Sequence, residues 1–225
     1  VNPSFEEATQ KVRELFLESV KLHLRSDVPI GTALSGGIDS SAIVCAMRYL
    51  NPNQEIHTFS YIADGKLSEE SWVDIINEFC GCISHKVKAT DSGLVEDLND
   101  LIEAQGEPFT STSIYAQYLV FREAKKHNLK VMLDGQGADE MLGGYTFYKP
   151  SRLASLLSGF KVNEALTFIR ESSISLNLSK SKLMVQALRL IAPSFLKAFY
   201  TQFLNKDARP SWISESWIKK NNINT

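Results

Sequence analysis

The sequence lacks both of the glycine-rich phosphate loops that are most common in nucleotide-binding proteins. Neither G-x-x-x-x-G-K-[ST] nor G-x-G-x-x-G occurs among its 225 residues. The first loop is typical of P-loop kinases and GTPases, and the second is typical of dehydrogenases with a dinucleotide fold. The two absences argue against all three classes, so a phosphate-binding site in this chain has to be built from another motif.

The sequence also has few cysteines, a small net charge and no long apolar runs. The three cysteines, Cys45, Cys80 and Cys82, contain no C-x-x-C pair. We therefore expect buried or free thiols in a reducing compartment, the cytoplasm, and no metal site at Cys80 and Cys82. A formal net charge of −2 provides no basic field, so no nucleic acid partner is expected. The apolar stretches are too short to span a membrane and no signal peptide is recognisable, so no membrane partner is expected either.

The histidines show no metal-binding pattern in the sequence. Three of them, His57, His85 and His127, fall on two predicted strands and at the end of a predicted helix. Their spacing matches no common metal motif. We therefore expect these side chains to be structural or solvated rather than catalytic.

A pair of glycines follows the first predicted strand. The apolar segment 28–33 leads into L-S-G-G-I-D-S-S at 34–41, which we interpret as a strand end, a turn and a helix start. Without a Cβ atom, glycines allow the backbone to approach a ligand closely, and the N–H groups at a helix start point toward an anion. The string therefore predicts a phosphate-binding loop.

A second glycine-rich string lies at residues 131–145, V-M-L-D-G-Q-G-A-D-E-M-L-G-G-Y. It also reads as an apolar strand that enters a turn, and here acidic residues follow. Carboxylates beside a phosphate loop would repel phosphates unless a cation lay between them, and Mg²⁺ takes one or two carboxylates together with phosphate oxygens. We therefore predict that Asp39 and Asp139 form a magnesium pair.

Predicted strands alternate with predicted helices along the first 134 residues. The strands are predicted at 29–34, 55–62, 83–88 and 129–134. The helices are predicted at 5–24, 39–50, 68–80, 91–104 and 112–127. Strands separated by helices form parallel sheets with helices on both faces, and ligands bind at the carboxyl ends of the strands. We therefore predict an α/β fold in which the two glycine-rich loops face one ligand.

Residues 151–225 differ in pattern from the first 150. Large apolar side chains recur at helical spacings from Leu153 to Phe203. We therefore predict two domains, an α/β domain over 1–150 and a truncated helical continuation over 151–225. Apolar surface left exposed on the continuation predicts a tendency to form a homodimer.

The strings SGGIDSS and DGQGADEMLGGY together resemble the synthetase domain of the glutamine-hydrolysing asparagine synthetases, which carries the loop of the ATP pyrophosphatase group. Two further strings are similar to the family, L-R-S-D-V-P-I-G at 24–31 and G-E-P-F-T-S-T-S at 106–113. The resemblance covers residues 5–150. It implies a fold of the adenine nucleotide alpha hydrolase type, with ATP and Mg²⁺ bound.

The resemblance implies a ligase that makes asparagine in two steps. The side-chain carboxylate of aspartate attacks ATP to form aspartyl-AMP and pyrophosphate, and ammonia then attacks aspartyl-AMP to give asparagine and AMP. In the family an N-terminal glutaminase domain precedes this region. Because the chain begins at Val1 without such a domain, we expect a piece of a longer protein that uses free ammonia when it is alone.

Other functions stay open at this point. Relatives of this kind also amidate other carboxylates or modify surface-polysaccharide sugars. A β-lactam-forming synthetase or a sulfur-transfer enzyme acting on tRNA would carry a similar loop, although the absence of cysteine pairs and of a basic patch argues against the tRNA enzyme. A non-catalytic ATP-binding paralogue is the remaining alternative.

The resemblance also implies where ATP binds. It places the phosphates at the first glycine-rich loop, the adenine at the ends of the first two strands, and the ribose or α-phosphate at the second loop. The ATP-binding residues that it implies are Leu34, Ser35, Gly36, Gly37, Asp39, Ser40, Ser41, Tyr61, Asp134 and Gly135. The catalytic residues that it implies are Asp39, Asp139, Gln136 and Glu107, with Asp39 and Asp139 as the magnesium ligands.

Two positions depart from the family pattern. A glutamine, Gln136, stands where well-studied members of the family have a glutamate, and an amide cannot act as a base at neutral pH. Gly106 replaces an acid that precedes Glu107 in the family. Glu107 itself is expected either to face the substrate pocket or to cap the next helix, and Glu140 either to assist at the site or to cap the helix that it begins.

Overall fold

The computed structural model of the chain describes residues 3–65, 68–109, 111–176 and 179–193. The chain divides into two units, Val1–Ala138 and Asp139–Thr225, and each has its own apolar core. The domain boundary predicted near residue 150 stays a prediction. The last part of the predicted helical continuation, 194–225, lies outside the described residues.

Four parallel strands form the sheet of the first unit. They are β1 Ile30–Ala33, β2 His57–Tyr61, β3 Ile83–Val87 and β4 Val131–Leu133. Their order across the sheet is β3-β2-β1-β4. In register, Ala33 of β1 pairs with Phe59 of β2, and Thr32 of β1 pairs with Leu133 of β4. The parallel arrangement confirms the predicted α/β fold, and it places the carboxyl ends of β1, β2 and β4 at one edge of the sheet.

Five helices of the first unit lie close to their predicted positions. They are α1 Phe5–His23, α2 Ile38–Leu50, α3 Glu70–Cys80, α4 Asp91–Gln105 and α5 Ser113–Lys126. Their ends differ from the predicted ends by two residues or fewer. The largest difference is at α3, which begins at Glu70 rather than at Ser68. There the Ser68 hydroxyl accepts a hydrogen bond from the Glu70 N–H at 3.3 Å.

The helices cover both faces of the sheet. On one face, α1 and α2 pack over Ile30 of β1, with Met47 fully buried between them. On the other face, Phe59 of β2 packs with Val120 and Ala124 of α5. Successive residues of a strand point to opposite faces, so each strand contributes to both cores. This confirms the prediction of a sheet with helices on both of its faces.

The described part of the second unit is helical. After α6, Ala138–Leu142, which begins at the boundary, come α7 Tyr148–Ser158, α8 Val162–Leu176 and α9 Lys180–Ile191. Their core contains Leu153, Leu156, Ile169 and Leu183. The predicted helical continuation is therefore confirmed as far as the described residues reach. None of the helices in the described ranges combines the length and apolar character that a membrane span requires.

Candidate active site at the carboxyl edge of the sheet

The first glycine-rich loop turns sharply after β1. Leu34 is 1% exposed, and its backbone N–H donates to the carbonyl of Phe59 at 2.9 Å. Gly36 then adopts a φ of +85°, a left-handed conformation that strongly favours glycine. A Cβ atom on Gly36 would also lie 2.9 Å from Cβ of Trp72 in α3. The glycine is therefore required by the turn and also by its contact with a neighbouring helix.

Two serine hydroxyls hold this loop closed. The Ser35 N–H donates to Oγ of Ser40 at 3.2 Å, and the two hydroxyl oxygens are 3.0 Å apart. The Gly37 N–H donates to Oγ of Ser35 at 3.3 Å, and the Ser40 hydroxyl donates to the carbonyl of Gly37. These bonds give Ser35 and Ser40 a role in shaping the loop in addition to the phosphate contacts predicted for them.

The start of α2 is open to an anion. The N-cap residue is Gly37, and no side chain forms a capping hydrogen bond there. The first N–H groups of a helix have no partner within the helix, and together with the helix dipole they favour a bound anion. The Ser41 hydroxyl lies in the same turn and is buried without a hydrogen-bond partner among the described residues. This end of α2 fits a phosphate group.

The second glycine-rich loop lies directly against the first. A Cβ atom on Gly135 would come within 3.1 Å of the backbone nitrogen of Ser40 and 3.2 Å of Cβ of Asp39. This close approach follows from the sheet order, because β4 is hydrogen-bonded beside β1 and both strands end at the same edge. The two strings, which are far apart in the sequence, therefore meet at the first turn of α2. That both loops face one ligand stays a prediction.

Asp134 and Gln136 differ in their surroundings within this loop. The Asp134 side chain is half-buried, and burial raises the pKa of its carboxyl. The nearby backbone N–H groups of Gly135 and Gln136 favour its charged form and offset part of the rise in pKa. Gln136, in contrast, is exposed. The loop thus holds one carboxyl group that is partly withdrawn from water beside an amide that faces water.

Tyr61 ends β2 at the same edge. It pairs in register with Val87 of β3, and the next residue, Ile62, is buried. Leu34 follows the neighbouring strand β1, so the two positions predicted to contact adenine lie at adjacent strand ends. Their role in adenine binding stays a prediction.

The acidic residues of the second motif belong to the second unit. Asp139 is half-buried, and a Cβ atom on Gly144 would collide with its carboxylate. The Tyr145 hydroxyl donates to Oε1 of Glu140 at 2.9 Å. Since Asp39 lies in the first unit and Asp139 in the second, the magnesium pair stays a prediction.

Glu107 lies in the exposed segment after α4. Gly106 ends that helix with a φ of +72°, and Glu107 follows it at the rim of a cavity of about 480 Å³. Ile102, Pro108 and Phe109 also line this cavity. The N-cap of α5 is Thr112, so Glu107 does not cap the next helix. Its predicted contact with substrate stays untested.

The sequence did not predict the part that α3 has in the site. The Glu69 carbonyl oxygen and the Val73 nitrogen both lie 3.3 Å from the position of a Cβ atom on Gly36, next to Trp72. The first turn of α3 therefore forms a wall of the phosphate loop. No local pattern signals this contact, because it joins residues more than thirty positions apart.

Cys45 and Cys80 pack in one apolar cluster with Leu34, beneath the first loop. The sulfur atoms of Cys45 and Cys80 are 3.7 Å apart without a disulfide bond, and burial is the main cause that raises the pKa of Cys80 to about 12. This agrees with the expected free thiols.

His57, His85 and His127, which look scattered in the sequence, are in contact. Nδ1 of His57 is 2.9 Å from Nε2 of His85, and the rings of His85 and His127 have centroids 3.9 Å apart.

The histidine cluster does not form a metal site in this structure. Within the described ranges, no group of three or more histidine, cysteine or acidic side chains has an arrangement that could hold a metal ion. Burial lowers the pKa of His85, and the neighbouring His127 and His57 lower it further. The His85 ring stacks on Phe59 and the His127 ring is tilted against it, so the cluster is part of the packing between the sheet and α5.

Comparison with known proteins identifies a family. The model of the family described as asparagine synthase matches residues 11–222. A putative glutamine-hydrolysing asparagine synthetase 2 of Methanocaldococcus jannaschii is 30% identical over an alignment of 218 residues, which covers 91% of this chain and 40% of that protein. Asparagine synthetase 1 of Bacillus subtilis is 35% identical over 144 residues, covering 62% of this chain and 22% of that protein.

One further relative and one solved structure also match this chain. Asparagine synthetase B of Escherichia coli is 31% identical over 153 residues, covering 61% of this chain and 27% of that protein. The chain therefore spans less than half of the length of these relatives. Among solved structures, the NH3-dependent NAD synthetase of Campylobacter jejuni matches 98% of this chain and 93% of its own at 15% identity. The TM-score of this match is 0.39.

Proposed function

The chain belongs to the asparagine synthase family, and we propose that it is the ATP-using part of an asparagine synthetase. In the proposed reaction, ATP adenylates the side-chain carboxylate of aspartate and releases pyrophosphate. Ammonia then displaces AMP and leaves asparagine. Family membership supports the overall reaction, and the arrangement of the loops supports the adenylation step.

The observation that carries this proposal is the contact of Gly135 with Asp39 and Ser40. It brings the ends of β4 and β1 together beside the open start of α2. A reaction at the α-phosphorus of ATP needs the leaving pyrophosphate and the attacking carboxylate held in one place, and most of the rate then comes from positioning and from charge stabilisation. The carboxyl edge of the sheet, where the two glycine-rich loops adjoin, can hold both groups together.

The residues of α2 would hold the pyrophosphate part of ATP. The uncapped N–H groups after Gly37 and the unpartnered hydroxyl of Ser41 are donors without acceptors. Gly36 and Gly37 keep side chains away from the anion, and Ser35 and Ser40 keep the loop in shape. The proposed adenine position is beside Leu34 and Tyr61, at the ends of β1 and β2.

Mg²⁺ fits the chemistry of these donors. Asp39 lies in the first turn of α2, which adjoins the proposed phosphate position, and it is half-buried. A magnesium ion binds readily to one or two carboxylates and to phosphate oxygens, and it neutralises the charge that develops on pyrophosphate as it leaves. We propose Asp39 as one ligand and Asp139 as the other.

The partners of the chain are part of the same proposal. The matched relatives are named as glutamine-hydrolysing enzymes and are more than twice as long as the matched region. We infer that a glutaminase domain precedes this region in the full-length protein and supplies its ammonia. The proposed location is the cytoplasm, where thiols such as Cys45 and Cys80 stay reduced. A homodimer remains a proposal.

Pyrophosphate release tests the proposed function. The protein is incubated with ATP, Mg²⁺ and ammonium chloride, and with aspartate or another carboxylate in turn. We expect release that requires aspartate, and a loss of about 100-fold or more in Asp39→Asn, as when a charge-stabilising group is removed from an active site. The matched control is Asp100→Asn, which changes an exposed aspartate of α4, and we expect it to leave the rate unchanged.

The alternatives give different results in the same assay. Release that depends on another carboxylate would identify an amidotransferase with a different acceptor. ATP binding without release in the presence of any acceptor would identify a non-catalytic paralogue. Equal activity of Asp39→Asn and the unchanged protein would contradict the proposed magnesium site.

A further inference from the structure

The second step of the proposed reaction produces a proton that some group has to accept. When the ammonia nitrogen bonds to the carbonyl carbon of aspartyl-AMP, the nitrogen becomes positively charged and the carbonyl electrons move onto oxygen. The nitrogen must lose a proton by the time the bond to AMP has broken, because an amide that is protonated on nitrogen is a very strong acid. A carboxylate close to the reacting carbon is well suited to accept it.

We propose that Asp134 accepts this proton and is the general base of amide formation. This inference rests on the proposed function. Asp134 directly follows β4, one residue before Gly135, whose backbone packs on Asp39 and Ser40 at the start of α2. Its carboxyl therefore belongs to the loop that adjoins the proposed phosphate position.

The surroundings of Asp134 suit a base. The side chain is half-buried, and burial raises the pKa of its carboxyl, which strengthens the carboxylate as a proton acceptor. The backbone N–H groups of Gly135 and Gln136 favour the charged form of this carboxyl and offset part of that rise in pKa. An aspartate whose only role is to shape the turn would interact with the same backbone groups. The experiment therefore has to separate the two roles.

The other groups described at this edge of the first unit are less suitable. Gln136 carries an amide, which cannot take up a proton at neutral pH. Asp39 is assigned to Mg²⁺. Asp64, in the loop after β2, is exposed and lies 3.7 Å from Nζ of Lys88. Glu69 is exposed, and it meets the phosphate loop through its backbone carbonyl.

The proposed step is balanced in atoms and charge. The nitrogen–carbon bond forms with the lone pair of ammonia, and the nitrogen then transfers one proton to Oδ of Asp134. The electrons on the carbonyl oxygen return to re-form the double bond, and the carbon–oxygen bond to AMP breaks. AMP leaves as an anion, asparagine remains, and Asp134 releases its proton to water before the next turnover.

The test uses Asp134→Asn, because asparagine has nearly the same size and keeps a side-chain oxygen toward the backbone of Gly135 and Gln136. We expect the turn to be preserved while the base is removed. A second variant, Asp134→Asn with Gln136→Glu, returns a carboxylate to the loop two residues later, where the resembled family has a glutamate. Two quantities are measured on each protein. Aspartate-dependent exchange of labelled pyrophosphate into ATP reports adenylation without ammonia, and asparagine formation with ammonium chloride reports the whole reaction.

We expect Asp134→Asn to lower asparagine formation by about 100-fold or more beyond any loss of the exchange rate, because a general base usually contributes that much and adenylation does not use it. We expect the double variant to regain about tenfold or more of the lost rate, because its carboxylate can accept the proton. Asparagine formation by Asp134→Asn at the unchanged rate would overturn the inference and leave the proposed function intact.

Two other results would count against a base. An equal loss of exchange and of asparagine formation in Asp134→Asn would show that the residue acts in ATP binding or in the shape of the turn. If the double variant regains none of the lost rate of asparagine formation, the carboxylate at position 136 does not replace that of Asp134, which would contradict the role as proton acceptor. Absence of exchange in the unchanged protein would overturn the proposed function itself, and with it the inference that rests on it.

Discussion

A methyl group on Gly135 is the smallest change that tests the contact between the two loops. In Gly135→Ala, the new Cβ atom would lie 3.1 Å from the nitrogen of Ser40 and 3.2 and 3.3 Å from Cβ and the carbonyl carbon of Asp39. Two of these three neighbours are backbone atoms in the first turn of α2, so they cannot move aside by a change of rotamer. The φ angle of Gly135 is not in the left-handed region, so the expected effect is steric.

The size of the effect follows from crowding in a packed region. An extra methyl group forced into such a region costs about 1–3 kcal/mol. For a chain of 225 residues, each kcal/mol corresponds to roughly 2–4 °C in the unfolding temperature. We therefore expect a fall of about 2–12 °C. Because relief of the clash requires the start of α2 to move, ATP should also bind more weakly, by about tenfold for each 1.4 kcal/mol of lost binding energy.

Thermal unfolding and calorimetric ATP titration in the presence of Mg²⁺ measure the two effects. Gly81→Ala is the matched control. Gly81 ends α3 with a φ of +61°, and the closest atom to its new Cβ would be Nη2 of Arg48 at 4.0 Å. A side chain there costs about 1–2 kcal/mol of backbone strain without touching either loop. We expect the control to lose stability and to keep its ATP affinity. Gly135→Ala with unchanged stability and unchanged ATP affinity would refute the described contact.

Two further predictions concern pH. The pKa of His85 is lowered by burial and by its neighbours, so the folded state binds fewer protons there than the unfolded state. We expect the free energy of unfolding to fall as the pH drops below about 6.5, the ordinary pKa of a histidine side chain. It should fall less in His85→Phe, and equal slopes of unfolding free energy against pH in the two proteins would contradict this. Hydrogen bonds from Arg122 and Tyr115 lower the pKa of Asp97. The stability that this carboxylate contributes is present above its pKa in the unfolded state and is lost as the pH falls through its pKa in the folded state. In Asp97→Asn, the free energy of unfolding measured by chemical denaturation should therefore fall less at acidic pH. The same fall in both proteins would contradict the assignment.

The elements of the first unit could be predicted from the sequence because their signals are local. The apolar run 131–133 followed by Asp134 and Gly135 has the pattern of a strand that enters a turn, and β4 lies there. The predicted strands are longer than the observed ones because the ends of a strand depend on which neighbour is present to pair with it. At β4, the pairing with β1 covers Val131 to Leu133 only.

The candidate site was predicted in part. The glycine-rich strings identified both loops, since glycine at a turn and uncapped N–H groups at a helix start are properties of a few adjacent residues. The wall formed by Trp72 was missed, and Glu107 proved not to cap the next helix. The half-buried state of Asp134, which makes it a candidate base, also depends on packing that the local sequence does not show.

The sequence by itself determined which chemistry the chain can carry and the order of its strands and helices. Both follow from short-range rules, because a phosphate loop, an amphipathic helix and a strand are each encoded within about 5–20 residues. The tertiary structure alone decided which distant residues meet. The order β3-β2-β1-β4 places Gly135 on Asp39, and packing of α5 on the sheet gathers His57, His85 and His127 into one cluster. Such contacts depend on strand pairing and on burial of apolar surface over the whole unit, and neither can be read from the residues near any one position.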